Sequence, residues 1–529
     1  MRKKIVVILV VLVMMFGVLA GCGDNYPQFD VKETPDKSYA VTSNGGMAVQ
    51  YGDFVYFING YKAIADTNGK NNVWGDVVKG GIYYAKLSDG KSVDTKDDFY
   101  GSYKTYDNSN NNEFNDDFSG FVTQKKTYKD GNEEEKEIDQ IAVNPVVPKL
   151  VTNGGYLNGG LFIIDDFIYY TSPTTLKDKK GNIQYNLVDF YRTKVDGKHT
   201  QFLYRSKSTS TKPVFGYYKV ADSVYVVVYE ASQQKIYSIR VTAKKVYDEK
   251  VIADEVTSAI LPQKDVYYAG MSDNLPEDYI YFTRGIDRNF DIETKGNIVE
   301  RVRPDGTQKF KILSGTQITL DKVFKGHLFF FTQDSITKGY YAKNLVNFNE
   351  QDSEQRVQPV KIFEEDVANA PASVYGIPYS SDFVALAVNT SSTLRYESTQ
   401  TTSHQILGSK TKLLRVAGND VYYIEDTTTE ESTEAVGRLY KMNYFTGVNE
   451  AITENNIKAD FLNIDMAGGY VFYISSISEL AESIKNDKDE LVPVLAQTTN
   501  YLKVQNLTSS TKTEWDLGKL DKADYPPVK

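Results

Sequence analysis

The chain has 529 residues and a formal net charge of −10, from 60 lysines and arginines against 70 aspartates and glutamates. The two signs are interspersed along most of the chain, and the basic stripe typical of nucleic-acid binding is absent. With 40 tyrosines, 26 phenylalanines and one cysteine, the composition favours β-sheet and excludes a disulfide within the chain.

The first 21 residues have the pattern of a secretory signal peptide. Three basic residues at 2–4 precede an uncharged apolar stretch at 5–18. Its length of about fourteen residues is short of the ~20 that a membrane-spanning helix needs. The next residues, Leu19-Ala20-Gly21-Cys22, resemble a bacterial lipobox.

This resemblance implies peptidase recognition of Leu19, Ala20 and Gly21, cleavage before Cys22, and a diacylglycerol group with fatty acyl chains on the Cys22 thiol. The protein is then expected outside the cytoplasm, anchored to the cell membrane by lipid. The alternative is an ordinary secretory signal beside an incidental cysteine. Loss of residues 1–21 removes three positive charges and brings the net charge from −10 to −13.

Residues 22–44 are polar and have no clear strand pattern, so we predict a flexible tether there. From residue 45 to 515 a short motif recurs, in which a small or acidic residue precedes alternating aromatic and β-branched residues. Its eight copies begin at Gly52, Asp166, Asp222, Asp278, Gly326, Asp382, Asp420 and Gly469. From the second copy onward they lie 38 to 56 residues apart, near the ~40–50-residue period of propeller blades.

A second strand pattern, rich in tyrosine and basic residues, follows most copies and ends at a tight turn. Clear examples end at Asp89-Gly90, Asp196-Gly197, Asp305-Gly306 and Thr446-Gly447. Glycine accepts the positive φ of such hairpin turns. We therefore predict an all-β fold, a single β-propeller of eight four-stranded blades. Seven blades, a pair of β-sandwiches or a β-solenoid are the alternatives.

The same rhythm resembles the uncharacterised propeller domains of Gram-positive surface proteins, which are similar to the YWTD-type propellers of the low-density lipoprotein receptor family. Stretches Ile168-Tyr169-Tyr170-Thr171 and Ile280-Tyr281-Phe282-Thr283 stand nearest to the YWTD tetrapeptide, which itself is absent. The resemblance covers residues 45–510 and implies a propeller.

Three segments interrupt the rhythm. Residues 94–148 are expected to insert a hairpin into the first blade, with strands Phe121–Tyr128 and Ile138–Val143 around the turn at 129–132. Residues 478–497 contain good helix formers after Ser478, which suits an N-cap, so we predict a helical insertion in the last blade. Residues 516–529 are predicted to form a polar C-terminal tail.

Few residues suggest metal or cofactor chemistry. The three histidines, His199, His327 and His404, are far apart in sequence, which argues against a histidine metal site. Loops 66–72 and 107–113 offer oxygen ligands, but the second has Asn112 and Phe118 where an EF-hand needs Gly and Glu. We expect no cofactor, with structural calcium as the alternative.

The residues also argue against nucleotide binding and sugar stacking. Stretch 85–92 ends like a phosphate-binding loop, yet Ala85 occupies the place of its first glycine. Trp74 and Trp515 suit packing better than sugar platforms. The aspartates that open the motifs recur in most copies, as turn residues do, whereas a catalytic acid is needed once or twice.

These patterns predict a membrane-anchored extracytoplasmic propeller that binds or scaffolds an envelope protein, a peptide or a cell-wall glycan, without catalytic residues. The alternative is a propeller enzyme that acts on glycans through carboxylates around the channel. A third hypothesis is an envelope assembly factor. Exposed aromatic patches would favour binding, and buried unpaired carboxyl groups at the channel would favour catalysis.

Overall fold

The computed structural model describes most of residues 160–465 and a set of strands on either side. Within that range, the described part excludes 175, 182–186, 208–212, 263–274, 286–295, 333–337, 347–357, 365–370, 380–381, 418, 428–435, 454–456, 459–461. The flanking strands are 41–42, 48–51, 54–62, 78–86, 126–129, 135–138, 149–153, 470–485, 491–506 and 514–520. In this part of the chain, no helix is long and apolar enough to cross a bilayer.

The described strands form eight antiparallel sheets, numbered here in chain order, and a separate hairpin. Sheet 1 consists of β2 (Ala48–Tyr51), β3 (Phe54–Lys62), β4 (Val78–Lys86) and β7 (Lys149–Asn153). The hairpin is β5 (Lys126–Lys129) with β6 (Glu135–Ile138). Sheet 2 consists of β1 (Val41–Thr42), β8 (Leu161–Ile164), β9 (Phe167–Pro173), β10 (Val188–Lys194) and β11 (Gln201–Arg205).

Sheets 3 to 5 each contain four strands in sequence order. Sheet 3 consists of β12 (Val214–Val220), β13 (Ser223–Glu230), β14 (Lys235–Val241) and β15 (Lys250–Ala253). Sheet 4 consists of β16 (Val256–Ile260), β17 (Ile280–Gly285), β18 (Gly296–Val302) and β19 (Phe310–Thr316). Sheet 5 consists of β20 (Thr319–Phe324), β21 (His327–Thr332), β22 (Gly339–Asn344) and β23 (Val360–Phe363).

The last three sheets follow the same plan. Sheet 6 consists of β24 (Ser373–Tyr379), β25 (Asp382–Val388), β26 (Thr393–Glu397) and β27 (His404–Leu407). Sheet 7 consists of β28 (Thr411–Ala417), β29 (Asp420–Asp426), β30 (Val436–Asn443) and β31 (Asn449–Ala451), with β32 (Ile457–Lys458) also paired to β30. Sheet 8 consists of β33 (Leu462–Asp465), β34 (Tyr470–Lys485), β35 (Leu491–Asn506) and β36 (Glu514–Leu520). Two 3-10 turns, Ala231–Gln233 and Pro276–Asp278, are also described.

Each of the eight sequence motifs forms an equivalent strand, the second of the four sequential strands in its sheet: β3, β9, β13, β17, β21, β25, β29 and β34. Strand β13 shows why the motif alternates aromatic and β-branched residues. Val226 and Val228 pack into a core shared with sheet 2, whereas Val227 and Tyr229 pack into a core shared with sheet 4. Because successive side chains leave a strand on opposite faces, both faces of this strand are buried.

The sheets close into a ring. Six hydrophobic clusters join sheets 2 to 8 in consecutive pairs. Between sheets 1 and 2, the Tyr51 hydroxyl donates to the Asp165 carbonyl oxygen, and the Tyr56 hydroxyl donates to the Val195 carbonyl oxygen at 3.2 Å. Strand β2 also lies beside β33, so the last sheet meets the first. The prediction of an all-β propeller is confirmed, and the sandwich and solenoid alternatives are wrong.

First strands of adjacent sheets contact each other. Strand β16 contacts β20, and β20 contacts β24. They are therefore the innermost strands, around the propeller axis. The fourth strands of the sheets form the outer rim.

Two kinds of tight turn lie at the same end of the sheets. In the turns from first to second strands, three non-glycine residues have positive φ angles of 46–55°: Asp165, Ala221 and Lys325. In the turns from third to fourth strands, three glycines have φ angles of 72–84°: Gly197, Gly306 and Gly447. In the third-to-fourth turns, aspartates hydrogen-bond backbone N–H groups: Asp196 that of Lys198 and Asp305 that of Thr307, both at 2.9 Å. Of the aspartates that open the motifs, for which such bonds are predicted, Asp278 accepts from the Leu275 N–H at 2.8 Å.

Turns of neighbouring sheets contact each other and so share one face of the ring. Lys219, at the end of β12, pairs with Asp165. The Lys250 amine donates to the Asp305 carbonyl oxygen at 3.1 Å, and the Gly326 N–H donates to Glu277 at 2.7 Å. We call this side, which carries the first-to-second and third-to-fourth turns, the turn face.

The predicted helix at 478–497 is wrong. Strand β34 extends to Lys485 and β35 begins at Leu491, and the two pair along most of their 16 residues each. Helix propensities differ by only tenths of a kcal/mol for most residues, and pairing between the two strands runs from Ile474 opposite Leu502 to Lys485 opposite Leu491. Pro493 within β35 also removes a donor that a helix would use.

Three other predicted boundaries differ from the structure. Val41–Thr42, within the predicted tether, pairs with β8 and covers its free edge. Strand β36 extends to Leu520, into the predicted tail, because it pairs with β35. In segment 94–148 a hairpin is present, but its second strand ends, and does not begin, at Ile138, with Lys129 opposite Glu135.

We predict that Gly376→Ala destabilises the protein by about 1–3 kcal/mol, the usual cost of overpacking a core. Gly376 lies in β24, and a Cβ there would overlap the Phe329 ring of sheet 5. Gly285→Ala is the matched control, since its Cβ would meet nothing within 4 Å. Urea unfolding measures both, and equal midpoints for the two variants would contradict the proposed close packing of sheets 5 and 6.

Candidate functional site

Strand β20, one of the innermost strands, has a β-bulge at two adjacent charged residues, Asp321 and Lys322. The pairing of β20 with β21 shifts register between Leu320 and Lys322, so Asp321 is the extra residue. First strands β16 and β28 have the same register shift, at Thr257 and Leu414, so the bulge itself is a repeated feature of the sheets. What distinguishes β20 is that charged residues stand at its bulge. The bulge lies on a strand next to the propeller axis, where a ligand entering the channel would pass.

Asp321 and Lys322 both make contacts in the seam between sheets 5 and 6. The Tyr340 hydroxyl donates to Asp321 Oδ2 at 2.6 Å, and the Lys322 amine donates to the Val374 carbonyl oxygen at 2.9 Å. Lys322 Nζ lies 3.9 Å from Asp321 Oδ2 and 4.8 Å from the centre of the Tyr375 ring. We call Asp321, Lys322, Tyr340 and Tyr375 the seam group.

Burial shifts the pKa values of the two charged side chains in the seam group. It raises the pKa of the Asp321 carboxyl above its ordinary value, against the opposing effects of Lys322 and the Tyr340 hydrogen bond. Burial also lowers the pKa of the Lys322 amine, which Asp321 partly offsets. The Asp321 and Lys322 side chains nevertheless keep 25% and 28% of their surface exposed. The seam group can therefore contact a polar ligand or exchange a proton with solvent.

Other buried charged side chains have clear structural partners. Asp189 accepts two hydrogen bonds from Arg205, at 2.6 and 2.8 Å. Glu230 accepts from the Tyr204 hydroxyl at 2.9 Å and from the Lys207 N–H at 2.8 Å. These bonds compensate the cost of removing a carboxylate from water.

Arg192 is a buried cation that makes hydrogen bonds across the seam between two sheets. Its guanidinium donates to Gln201 and, at 2.6 Å, to the Thr242 carbonyl oxygen of sheet 3, while it stacks 4.2 Å from the centre of the Phe167 ring. With 2% of its surface exposed, it joins sheets 2 and 3.

The three histidines lie in three different sheets. His199 is exposed in a turn of sheet 2, His404 begins β27 in sheet 6, and His327 begins β21 in sheet 5. Burial lowers the pKa of His327, whose ring packs 5.1 Å from that of Phe383. Across the described residues, no cluster of three or more His, Cys, Asp or Glu side chains could hold a metal ion.

Several predicted sites lie outside the described residues. They are the lipobox Leu19, Ala20, Gly21 and Cys22, the loops 66–72 and 107–113, and Trp74. Trp515 lies in β36 opposite Val504, and its side chain is not described. The anchor and the calcium alternative therefore stay predictions.

Sequence reasoning missed the seam group. Its only local signal is the charged pair Asp321-Lys322 inside the strand-like stretch 318–324. Tyr340 lies 19 residues away, and nothing in its own surroundings marks it.

Exposed apolar side chains project from turns of the turn face. They are Tyr247, Val346, Tyr379 and Val448, with 37%, 52%, 43% and 69% of their surface exposed. Tyr379 packs at 4.4 Å between ring centres against Phe445 in a turn of sheet 7. Single exposed apolar side chains are ordinary on protein surfaces, so it is their shared placement on the turn face that makes these four a candidate contact surface.

Comparison with known proteins shows similarity in fold alone. No protein-family model matches the chain, and no curated protein sequence matches it. Among solved structures, it is similar to the β-propeller domain of the trilobed protease from Pyrococcus furiosus, with 9% identity, a TM-score of 0.36, and coverage of 79% of this chain and 99% of that domain.

Two further structures have similar values. An uncharacterized protein from Listeria monocytogenes shows 9% identity, a TM-score of 0.34 and coverage of 69% and 93% of the two chains. The WD40 domain of SCAP from fission yeast shows 12% identity, a TM-score of 0.34 and coverage of 66% and 92%. The similarity to YWTD-type propellers stays a prediction.

We predict opposite pH effects for two conservative variants of the seam group. Because the pKa of Asp321 is raised on folding, the folded state holds that proton more tightly than the unfolded state does. Wild-type stability should therefore fall relative to Asp321→Asn as pH rises above about 4, the unfolded value for aspartate. Urea unfolding at a series of pH values measures the difference.

Lys322→Gln is the matched test of opposite sign. Because the pKa of Lys322 is lowered on folding, the unfolded state binds the proton more tightly, and wild-type stability should rise relative to Lys322→Gln as pH approaches about 10.4. Differences that do not vary with pH would contradict the burial of both groups.

Proposed function

We propose that the protein is a lipid-anchored extracytoplasmic β-propeller that binds or scaffolds a partner at the cell envelope. The partner is an envelope protein, a peptide or a cell-wall glycan. The anchor is the Cys22 thiol, carrying diacylglycerol, and no catalytic activity or cofactor is part of the proposal. The closed ring supports it, because propellers present loops and a channel on a scaffold formed by packed sheets.

The hydrogen bonds accepted by buried acidic side chains are the observation that supports a binding role over catalysis. Asp189, Glu230 and Glu277 each accept hydrogen bonds from a neighbouring strand, turn or sheet. Carboxylates engaged in this way stabilise the ring and are poorly placed to protonate a substrate. By contrast, the seam group keeps part of its Asp321 and Lys322 side chains exposed beside the axis, where a partner can contact them.

A glycan-acting enzyme is the second candidate, and Asp321 is the observation that favours it. Its raised pKa and its place on an innermost strand suit a general acid. Glycoside hydrolysis ordinarily uses a second carboxyl group about 5–10 Å away. The side chains that surround Asp321 here are Lys322, Tyr340 and Tyr375, which suit binding better than this chemistry.

We predict that Cys22→Ala transfers the protein from the membrane fraction to the soluble extracytoplasmic fraction of the cells that produce it. Without a thiol, no diacylglycerol can be attached, and one uncleaved apolar segment of about fourteen residues is too short to span a bilayer. Cell fractionation measures the transfer, and mass spectrometry of the N-terminal peptide measures the loss of the diacylglycerol group. An unmodified Cys22 in the wild-type protein would refute the anchor.

Crosslinking in those cells, followed by mass spectrometry, tests the binding role. Reproducible enrichment of one envelope protein that is reduced in Cys22→Ala would support scaffolding. Release of shortened glycans by the wild-type protein, abolished in Asp321→Asn, would instead establish the enzyme.

A further inference from the structure

We propose that the turn face lies against the surface of the membrane that carries the anchor, and that Val346, Val448, Tyr247 and Tyr379 contact its lipid interface. This inference rests on the proposed lipid anchor at Cys22. It goes beyond that anchor by assigning an orientation and a second, non-covalent contact with phospholipid.

The N-terminal strand enters the ring from this side. Val41 pairs with Ile164 and Thr42 with Ile163, so β1 runs antiparallel to β8. Ile164 immediately precedes the Asp165 turn, which belongs to the turn face. The chain therefore enters the ring from the turn face.

The tether predicted between Cys22 and Val41 has few enough residues to keep this face near the bilayer. As the flexible tether predicted from the sequence, about 19 residues have a root-mean-square span of ~24 Å. An anchored propeller thus holds its turn face at high effective concentration relative to lipid, so that individually weak contacts are populated.

The chemistry of the four side chains suits a lipid interface. They come from sheets 3, 5, 6 and 7, so the contacts are spread around the ring. Tyr247 lies beneath two cations, with Lys245 Nζ at 4.7 Å and the Arg240 guanidinium at 5.0 Å from its ring centre. Tyrosine with adjacent basic groups is typical of protein surfaces at headgroup level.

The second aromatic site is similar. Tyr379 packs against Phe445, and the Arg395 guanidinium lies 5.1 Å from the Phe445 ring centre. Arg395 also donates to the Tyr444 carbonyl oxygen at 2.6 Å, which positions this turn. Val448 stands at the end of the same turn and is the most exposed large apolar side chain described.

An environment-sensitive fluorophore tests the orientation. In the chain from residue 22 onward, Cys22→Ser removes the only cysteine, and single cysteines are then introduced as Val448→Cys, Val346→Cys or Leu176→Cys and labelled with a nitrobenzoxadiazole dye. An N-terminal hexahistidine tag attaches each protein to phosphatidylglycerol–phosphatidylethanolamine vesicles containing a nickel-chelating lipid.

Leu176 is the matched control, because it is 39% exposed and lies in the connection between the second and third strands of sheet 2, on the opposite face. We expect a blue shift and a several-fold gain in emission at positions 448 and 346 on attachment, and neither at 176. No change at 448 and 346, or an equal change at 176, would overturn the proposed orientation.

A shift at 448 that appears without vesicles and grows with protein concentration would also overturn it, in favour of a second copy of the chain as the occupant. Because the tag replaces the thiol as the attachment point, this result is independent of lipid on Cys22. Failure of the anchor and failure of the orientation are therefore distinguishable.

Discussion

Side-chain packing between neighbouring sheets is the interaction on which the rest of the structure depends. A four-stranded sheet of this sequence has apolar residues on both faces, as Val226 and Val227 of β13 show by entering different seams. Such a sheet cannot leave either face in water, so it needs a neighbour on each side. A closed ring supplies two neighbours to every sheet, and the contact of β2 with β33 completes it.

The same packing explains the polar chemistry of the seams. A charged side chain between two sheets loses water and must find partners there. Arg192 does so by binding Gln201 and the Thr242 carbonyl oxygen, and Asp189 by binding Arg205. Asp321 and Lys322, at a bulge in β20, keep 25% and 28% of their side-chain surface exposed. Burial shifts the pKa of both side chains, upward for Asp321 and downward for Lys322.

The two ends of the ring have different roles under the proposed function. The turn face is formed by tight turns whose positive-φ residues and aspartates bind neighbouring backbone groups, and the N-terminal strand enters there. With that face toward lipid, the opposite face and the channel with its seam group are directed to the envelope. The anchor and the binding surface then occupy different ends of one scaffold.

The sequence by itself determined the fold class and the position of all eight second strands, because alternation and turn residues are local signals. It also predicted the turns at Asp196 and Asp305, where the side chain binds backbone two residues away. Only the tertiary structure decided that 478–485 and 491–497 are strands, since pairing between them outweighs their helix propensity. It alone brought Tyr340 to Asp321 and arranged the exposed turns of four sheets on one face. Those features depend on register and ring closure, which join residues that no local pattern connects.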